Sequence, residues 1–207
     1  GLMNNLFKKA AVFTDIHFGL KSNSTVHNQD CEDFIDWYIE TARANGCDTG
    51  IFMGDWHHNR NSLNITTMDS SLRSLEKLGQ AFDQFFFFPG NHDLYYKDKR
   101  DIHSVEFGKY IPGITIVHSP MTIGDVTLCP WLVGEEWKQI GKKKAKYIFG
   151  HFILQSIEVF ITQNIGHRLA FFSTLNKLLK TNKLASRQLI RWLHIQKLLR
   201  LFEHMRQ

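Results

Sequence analysis

Short runs of consecutive apolar residues alternate along most of the chain with segments whose apolar positions recur every three or four residues. The runs at 10–14, 49–53, 85–88, 114–117, 126–129 and 147–149 predict strands. The pattern at 30–44, carried by Phe34, Trp37, Tyr38 and Ala42, predicts a helix closed by Gly46, and a second helix is predicted over 65–82. Gly124-Asp125 reads as the turn of a strand pair formed by 114–117 and 126–129. Strands that alternate with helices predict an α/β fold with a parallel sheet.

The polar residues that end these runs are of one chemical kind. The first strand runs into Asp15 and His17, the second into Asp55, the aromatic run Phe85 to Phe88 into Asn91 and His92, and the last into His151. In a βαβ sheet the carboxyl ends of parallel strands share one edge, so residues remote in sequence converge there. Any one of them alone is an ordinary polar turn residue; the recurrence at successive strand ends carries the signal. Carboxylate, imidazole and amide oxygen suit divalent ions of the manganese, iron or zinc type, and a shared carboxylate holds two of them about 3.5–4 Å apart. Such a pair suits the hydrolysis of phosphoesters.

Composition narrows the setting. A chain of 207 residues with 43% hydrophobic and 22% charged residues accommodates one sizeable domain. Cys31, Cys47 and Cys129 are odd in number and widely spaced, which speaks against a disulfide framework or a cysteine zinc site. With no long apolar run and no signal-peptide pattern, the expectation is a cytoplasmic protein with no membrane partner. The start at Gly1-Leu2-Met3, without an initiator methionine, is expected of a partial gene product. Charge then divides the chain. Residues 164–207 hold nine Lys and Arg against one acid, so the remainder, with 16 bases and 19 acids, is net −3 although the whole is +5. The expected organisation is a domain over 7–155 followed by a basic, helical tail over 156–207 with an amphipathic stripe through Trp192, Ile195, Leu199 and Phe202. The abrupt loss of acids, Gly and Pro is expected first of a reading-frame or gene-boundary error after about Leu154, and otherwise of a helix that packs on a partner or on nucleic acid.

Asp15-x-His17, Gly54-Asp55, Gly90-Asn91-His92-Asp93 and Gly150-His151 together resemble, in order and approximate spacing, the first four motifs of the calcineurin-like metallophosphoesterase superfamily. Within it the chain resembles the nuclease branch, most of all the phage recombination endonuclease subunit related to DNA-repair exonucleases. The stretches that carry this are Asn59-Arg60, Asp93-Leu94-Tyr95-Tyr96-Lys97, Arg100-Asp101-Ile102-His103-Ser104 and Pro130-Trp131-Leu132. The resemblance implies a metallophosphoesterase-type β-sandwich flanked by helices, truncated or altered at its carboxyl end. It also implies roles. Asp15 and His17 hold one ion, Asp55 bridges both, and Asn91 and His151 bind the second; manganese is the first expectation, with magnesium, iron or zinc as substitutes. His92 acts on the leaving group and Asp93 orients His92. His57, His58, Arg60, Tyr95 and Lys97 are candidates for phosphate and nucleotide contacts. The partners implied are DNA, an ATPase subunit of a recombination nuclease complex and a second copy in a homodimer, in the host cytoplasm if the gene belongs to a phage.

The sequence departs from the family at its end. The family's Gly-His-x-His element, which supplies one more ligand to each ion, is absent, and His167 in Gly166-His167-Arg168 is the substitute candidate for a weak metal ligand. The expectation is therefore an impaired two-metal DNA exo- or endonuclease subunit. A small-molecule phosphatase or cyclic-nucleotide phosphodiesterase is the enzyme alternative, and a remnant that binds nucleic acid through its tail is the other.

Overall fold

Four short strands form a parallel sheet in the order β1 (Ala10–Phe13), β2 (Thr49–Phe52), β3 (Gln84–Phe87), β4 (Ile114–Ile116). The computed structural model describes residues 6–124, 126–139, 145, 147–151 and 169–172, the last as backbone only. A second sheet has the order β5 (Met121–Ile123), β6 (Val126–Cys129), β7 (Tyr147–Gly150), β8 (Leu169–Phe172), with β5 antiparallel to β6 and the other pairs parallel.

The first sheet is apolar on both faces, which is why its strands read as continuous runs. Ala10, Val12, Ile51, Met53, Phe86 and Phe88 point to one side and bury against Val126, Leu128 and Phe149 of the second sheet. Ala11, Phe13, Phe52, Phe85 and Phe87 point to the other and, beyond the single turn α1 (Leu20–Asn23), pack under helices α2 (Thr25–Ala44) and α3 (Ile65–Ala81) through Phe34, Ile35, Tyr38, Leu75 and Leu78. The Tyr38 hydroxyl donates to Ala11 O at 2.7 Å and so ties α2 to β1. The layers are helices, parallel sheet and second sheet, the expected helix-flanked sandwich.

Several local expectations are corrected. α2 starts at Thr25 rather than near residue 30, because Ser24 Oγ accepts the His27 N–H and caps a first turn with exposed Thr25 and Val26, which the apolar period does not reveal. α3 starts at Ile65 as expected, capped by Asn64 Oδ1 on Thr67 N. β4 and β6 are not a pair: β4 closes the first sheet against β3, and β6 takes β5 as its hairpin partner across Gly124. The region expected to be a helical tail contributes a strand, β8, which continues the second sheet beside β7. The amphipathic stripe at 187–205 and His167 lie outside the described residues. Among the described residues no helix is long and apolar enough to cross a membrane.

Candidate metal centre

β1, β2 and β3 point the same way, and their carboxyl ends lie side by side with that of β7, stacked on them by the sandwich. Beyond the strands the loops remain paired: Asp15 N donates to Gly54 O at 2.9 Å, His17 N to Asp55 O at 3.1 Å and Phe18 N to Trp56 O at 2.8 Å. The pairing forces unusual backbone. Asp15, His17 and Asp55 have φ of 58°, 54° and 64°, a left-handed conformation that a residue with a Cβ adopts at a cost of roughly 1–2 kcal/mol each. Lys21, Ser22 and Asn23 share this conformation in the turn before the first long helix, whereas Asp15, His17 and Asp55 carry it where the paired loops meet.

The side chains converge on Asp55. Its Oδ2 lies 3.6 Å from His17 Nε2 and 3.6 Å from His151 Nε2, and Asp15 Oδ1 lies 3.5 Å from the same nitrogen of His17. Its Oδ1 is held by the His92 N–H at 2.9 Å, so one oxygen is anchored and the other faces both imidazoles. His151 Nδ1 lies 2.9 Å from Met53 O and donates to it, which leaves Nε2 as a bare lone pair. That lone pair faces Asn91 Oδ1 at 2.9 Å, so two acceptors confront each other. A cation resolves that confrontation, and two atoms about 3 Å apart match adjacent vertices of a coordination shell with bonds of roughly 2.1 Å. The donor set thus fits two divalent ions that share Asp55, one held by Asp15 and His17 and the other by Asn91 and His151. Burial opposes ionisation of Asp15, but its contact with His17, the nearby His151 and the Thr14 hydroxyl at 2.6 Å outweigh it and hold the carboxyl below the usual range.

His92 stands over this cluster. Its ring is 5.1 Å from that of His17 and stacked 5.3 Å from that of His58, and its Nδ1 lies 3.1 Å from His58 O. With Nδ1 donating to that carbonyl, Nε2 is the atom free to exchange a proton with a substrate. His58 also contacts His17 directly, Nδ1 to Nδ1 at 3.4 Å, and so belongs to the centre itself.

The expected role of Asp93 is corrected. It does not orient His92; fully buried, its carboxylate accepts four backbone N–H groups, from Asp55 at 2.9 Å, Trp56 at 3.1 Å, His57 at 2.8 Å and Gly90 at 2.9 Å. Asp93 therefore locks the Asp55 loop to the Asn91 loop. Burial, with the neighbouring Asp55 charge, pushes its carboxyl up to about 7 against the pull of those N–H groups. Glycines at 54 and 90 allow the approach: a Cβ on Gly90 would stand 2.3 Å from Asp55 N, and one on Gly54, whose φ is +104°, 2.7 Å from both Gly90 Cα and His151 Nδ1. Replacing Asp93 by Asn turns one acceptor into a donor and leaves at least one buried N–H unmatched, a loss of about 1–3 kcal/mol per group. Urea unfolding is expected to show Asp93→Asn destabilised by about 2–4 kcal/mol on that basis; unchanged stability would remove Asp93 from this anchoring role.

The substrate candidates divide. His57 is fully buried between Ser71 Oγ at 2.8 Å and Ser104 Oγ at 2.7 Å, and burial pushes it down to about 3, so it is a neutral core residue and no phosphate contact. Arg60 Nη1 donates to Leu94 O at 3.3 Å and braces the loop. Tyr95 and Lys97 are exposed on that loop.

A family profile described as "Calcineurin-like phosphoesterase" matches residues 8–152. The chain belongs to this family. Its domain is that of a metal-dependent hydrolase, of a family that uses a dinuclear metal site. Among curated proteins the chain is 28% identical over 149 residues to "Exonuclease subunit 1" of Enterobacteria phage T4, an alignment that covers 68% of this chain and 44% of the relative. The chain thus spans less than half the length of that relative. Among solved structures it is similar to a nuclease MPE of Pseudomonas putida, with a TM-score of 0.41 and 16% identity over 70% of this chain and 60% of the other.

Proposed function

We propose that the domain is a two-metal phosphodiesterase that cleaves DNA as the nuclease subunit of a phage-type recombination or repair complex, with manganese as its ion. The observation that carries the reading is Asp55 Oδ2, equidistant at 3.6 Å from His17 and His151. The chemistry such ions supply when bound is polarisation of a phosphoryl oxygen and a nucleophilic water at neutral pH. The chain's own residues do the rest. Asp15, His17, Asn91 and His151 hold and space the ions, and Asp93 keeps the two loops from moving apart. His92, protonated at Nε2, gives that proton to the alkoxide oxygen that leaves as the P–O bond breaks. Tyr95 and Lys97, exposed on the loop that follows Asp93, offer a ring for a base and a cation for a backbone phosphate. The name of the phage relative, a subunit of an exonuclease, supports a nuclease reaction carried out in company with another subunit.

Supplied with millimolar Mn²⁺, the 207-residue chain is expected to cleave duplex DNA and a nitrophenyl phosphodiester faster than a nitrophenyl phosphomonoester. A preference for the monoester would favour a phosphatase and overturn the nuclease reading.

A further inference from the structure

We propose that His103, Glu106 and His118 form a separate metal site that takes a borderline transition ion, Zn²⁺ above all. It uses no residue of the cluster around Asp55. The His103 side chain is only 1% exposed, and its Nε2 lies 2.8 Å from Glu106 Oε2. Neither ring nitrogen of His103 makes a hydrogen bond, so the contact with Glu106 is an ion pair only when the ring is protonated. A buried imidazole that makes no hydrogen bond is costly unless something else satisfies it. The third group is at hand. The His118 ring is centred 5.7 Å from that of His103, and one ligand atom from each of the three residues lies within 4.8 Å of the others.

The neighbouring Lys109 and Arg100 oppose further positive charge at His103, but they also fix the other two ligands in place. Glu106 Oε1 is taken by Lys109 Nζ at 2.8 Å, which fixes the carboxylate with Oε2 turned inward. His118 O accepts from Arg100 Nε at 2.7 Å, which holds the exposed His118 at the mouth. A buried His with a half-exposed Glu and an exposed His leaves a path for an ion and an open position for water. Two imidazoles and one carboxylate form the donor set of a three-ligand zinc site, softer than the oxygen-rich centre proposed for manganese.

The position gives the site a purpose. His103 is bridged to Leu94, Ser104 N donates to Asp93 O at 2.8 Å, and Tyr95 N donates to Ile102 O at 3.0 Å. An ion held by His103 and by His118, just beyond β4, would fasten the chain to the segment that supports Asp93 and the exposed Tyr95.

Equilibrium dialysis of the full chain against Zn²⁺, read by elemental analysis, tests this. His118→Ala, a change at an exposed position, and Glu106→Gln are each expected to bind one molar equivalent less than wild type, while Asp55→Asn keeps that equivalent. Co²⁺ in place of Zn²⁺ is expected to give a visible absorption band that His118→Ala abolishes. Equal Zn²⁺ binding by wild type, His118→Ala and Glu106→Gln would overturn the proposal, as would loss of all bound Zn²⁺ in Asp55→Asn.

Discussion

His92→Ala is expected to lower the turnover of duplex DNA by roughly 10²–10⁴, the usual contribution of a general acid, while leaving Mn²⁺ affinity close to wild type. The separation follows from geometry. The His92 ring reaches only the His58 backbone carbonyl through Nδ1, and the contact with Asp55 runs through the His92 backbone N–H, which alanine keeps. The side chain can therefore be removed without releasing Asp55 Oδ1. A substrate whose leaving group needs no proton should suffer least, so the defect on a nitrophenyl diester is expected to be smaller than on DNA. Parallel loss of metal binding in His92→Ala, by calorimetric titration, would mean that His92 holds an ion; an undiminished rate on DNA would remove it from the chemistry.

The fold and the centre were legible in the sequence to different depths, and the reasons are physical. β1, β2 and β3 are buried on both faces, so Ala10 to Phe13 and Phe85 to Phe88 stand out as unbroken apolar runs with polar residues at their ends. Those ends are brought together by any parallel sheet, which is why Asp15, His17, Asp55 and Asn91 could be named as a set; His151 follows β7 of the second sheet and reaches them through the stacking of the two sheets. β5 is three half-buried residues, too short for a pattern to show, and strand lengths alone do not say which sheet a strand joins; hence β4 and β6 were paired wrongly.

Asp93 was misread for a different reason. Its partners are backbone N–H groups, which leave no mark in the side-chain sequence, whereas the adjacent His92 is a conspicuous but mistaken candidate. His57 shows the converse error: sequence adjacency to Asp55 and His58 suggested the surface, but its ring turns inward to Ser71 and Ser104. The left-handed backbone at Asp15, His17 and Asp55 was invisible because Asp and His, although enriched in that conformation, adopt it at only a small share of their positions. Strain at these positions is imposed by the paired loops and held by Asp93, so it is a tertiary property.

The measurement that bears most directly on the centre is calorimetric titration of wild type and Asp55→Asn with Mn²⁺. Asp55 is the residue placed between the two halves of the cluster, with Oδ2 facing His17 on one side and His151 on the other. Asn at that position keeps the size and an oxygen for the His92 N–H but removes the charge and puts an amide where a shared oxygen is needed. A ligand that serves one ion would cost that ion alone; a bridging ligand costs both. Wild type is expected to bind two Mn²⁺ with weak affinity, because the family's closing Gly-His-x-His element is missing from the sequence, and Asp55→Asn is expected to bind neither measurably. Equal Mn²⁺ binding by the two proteins would contradict the dinuclear centre proposed around Asp55.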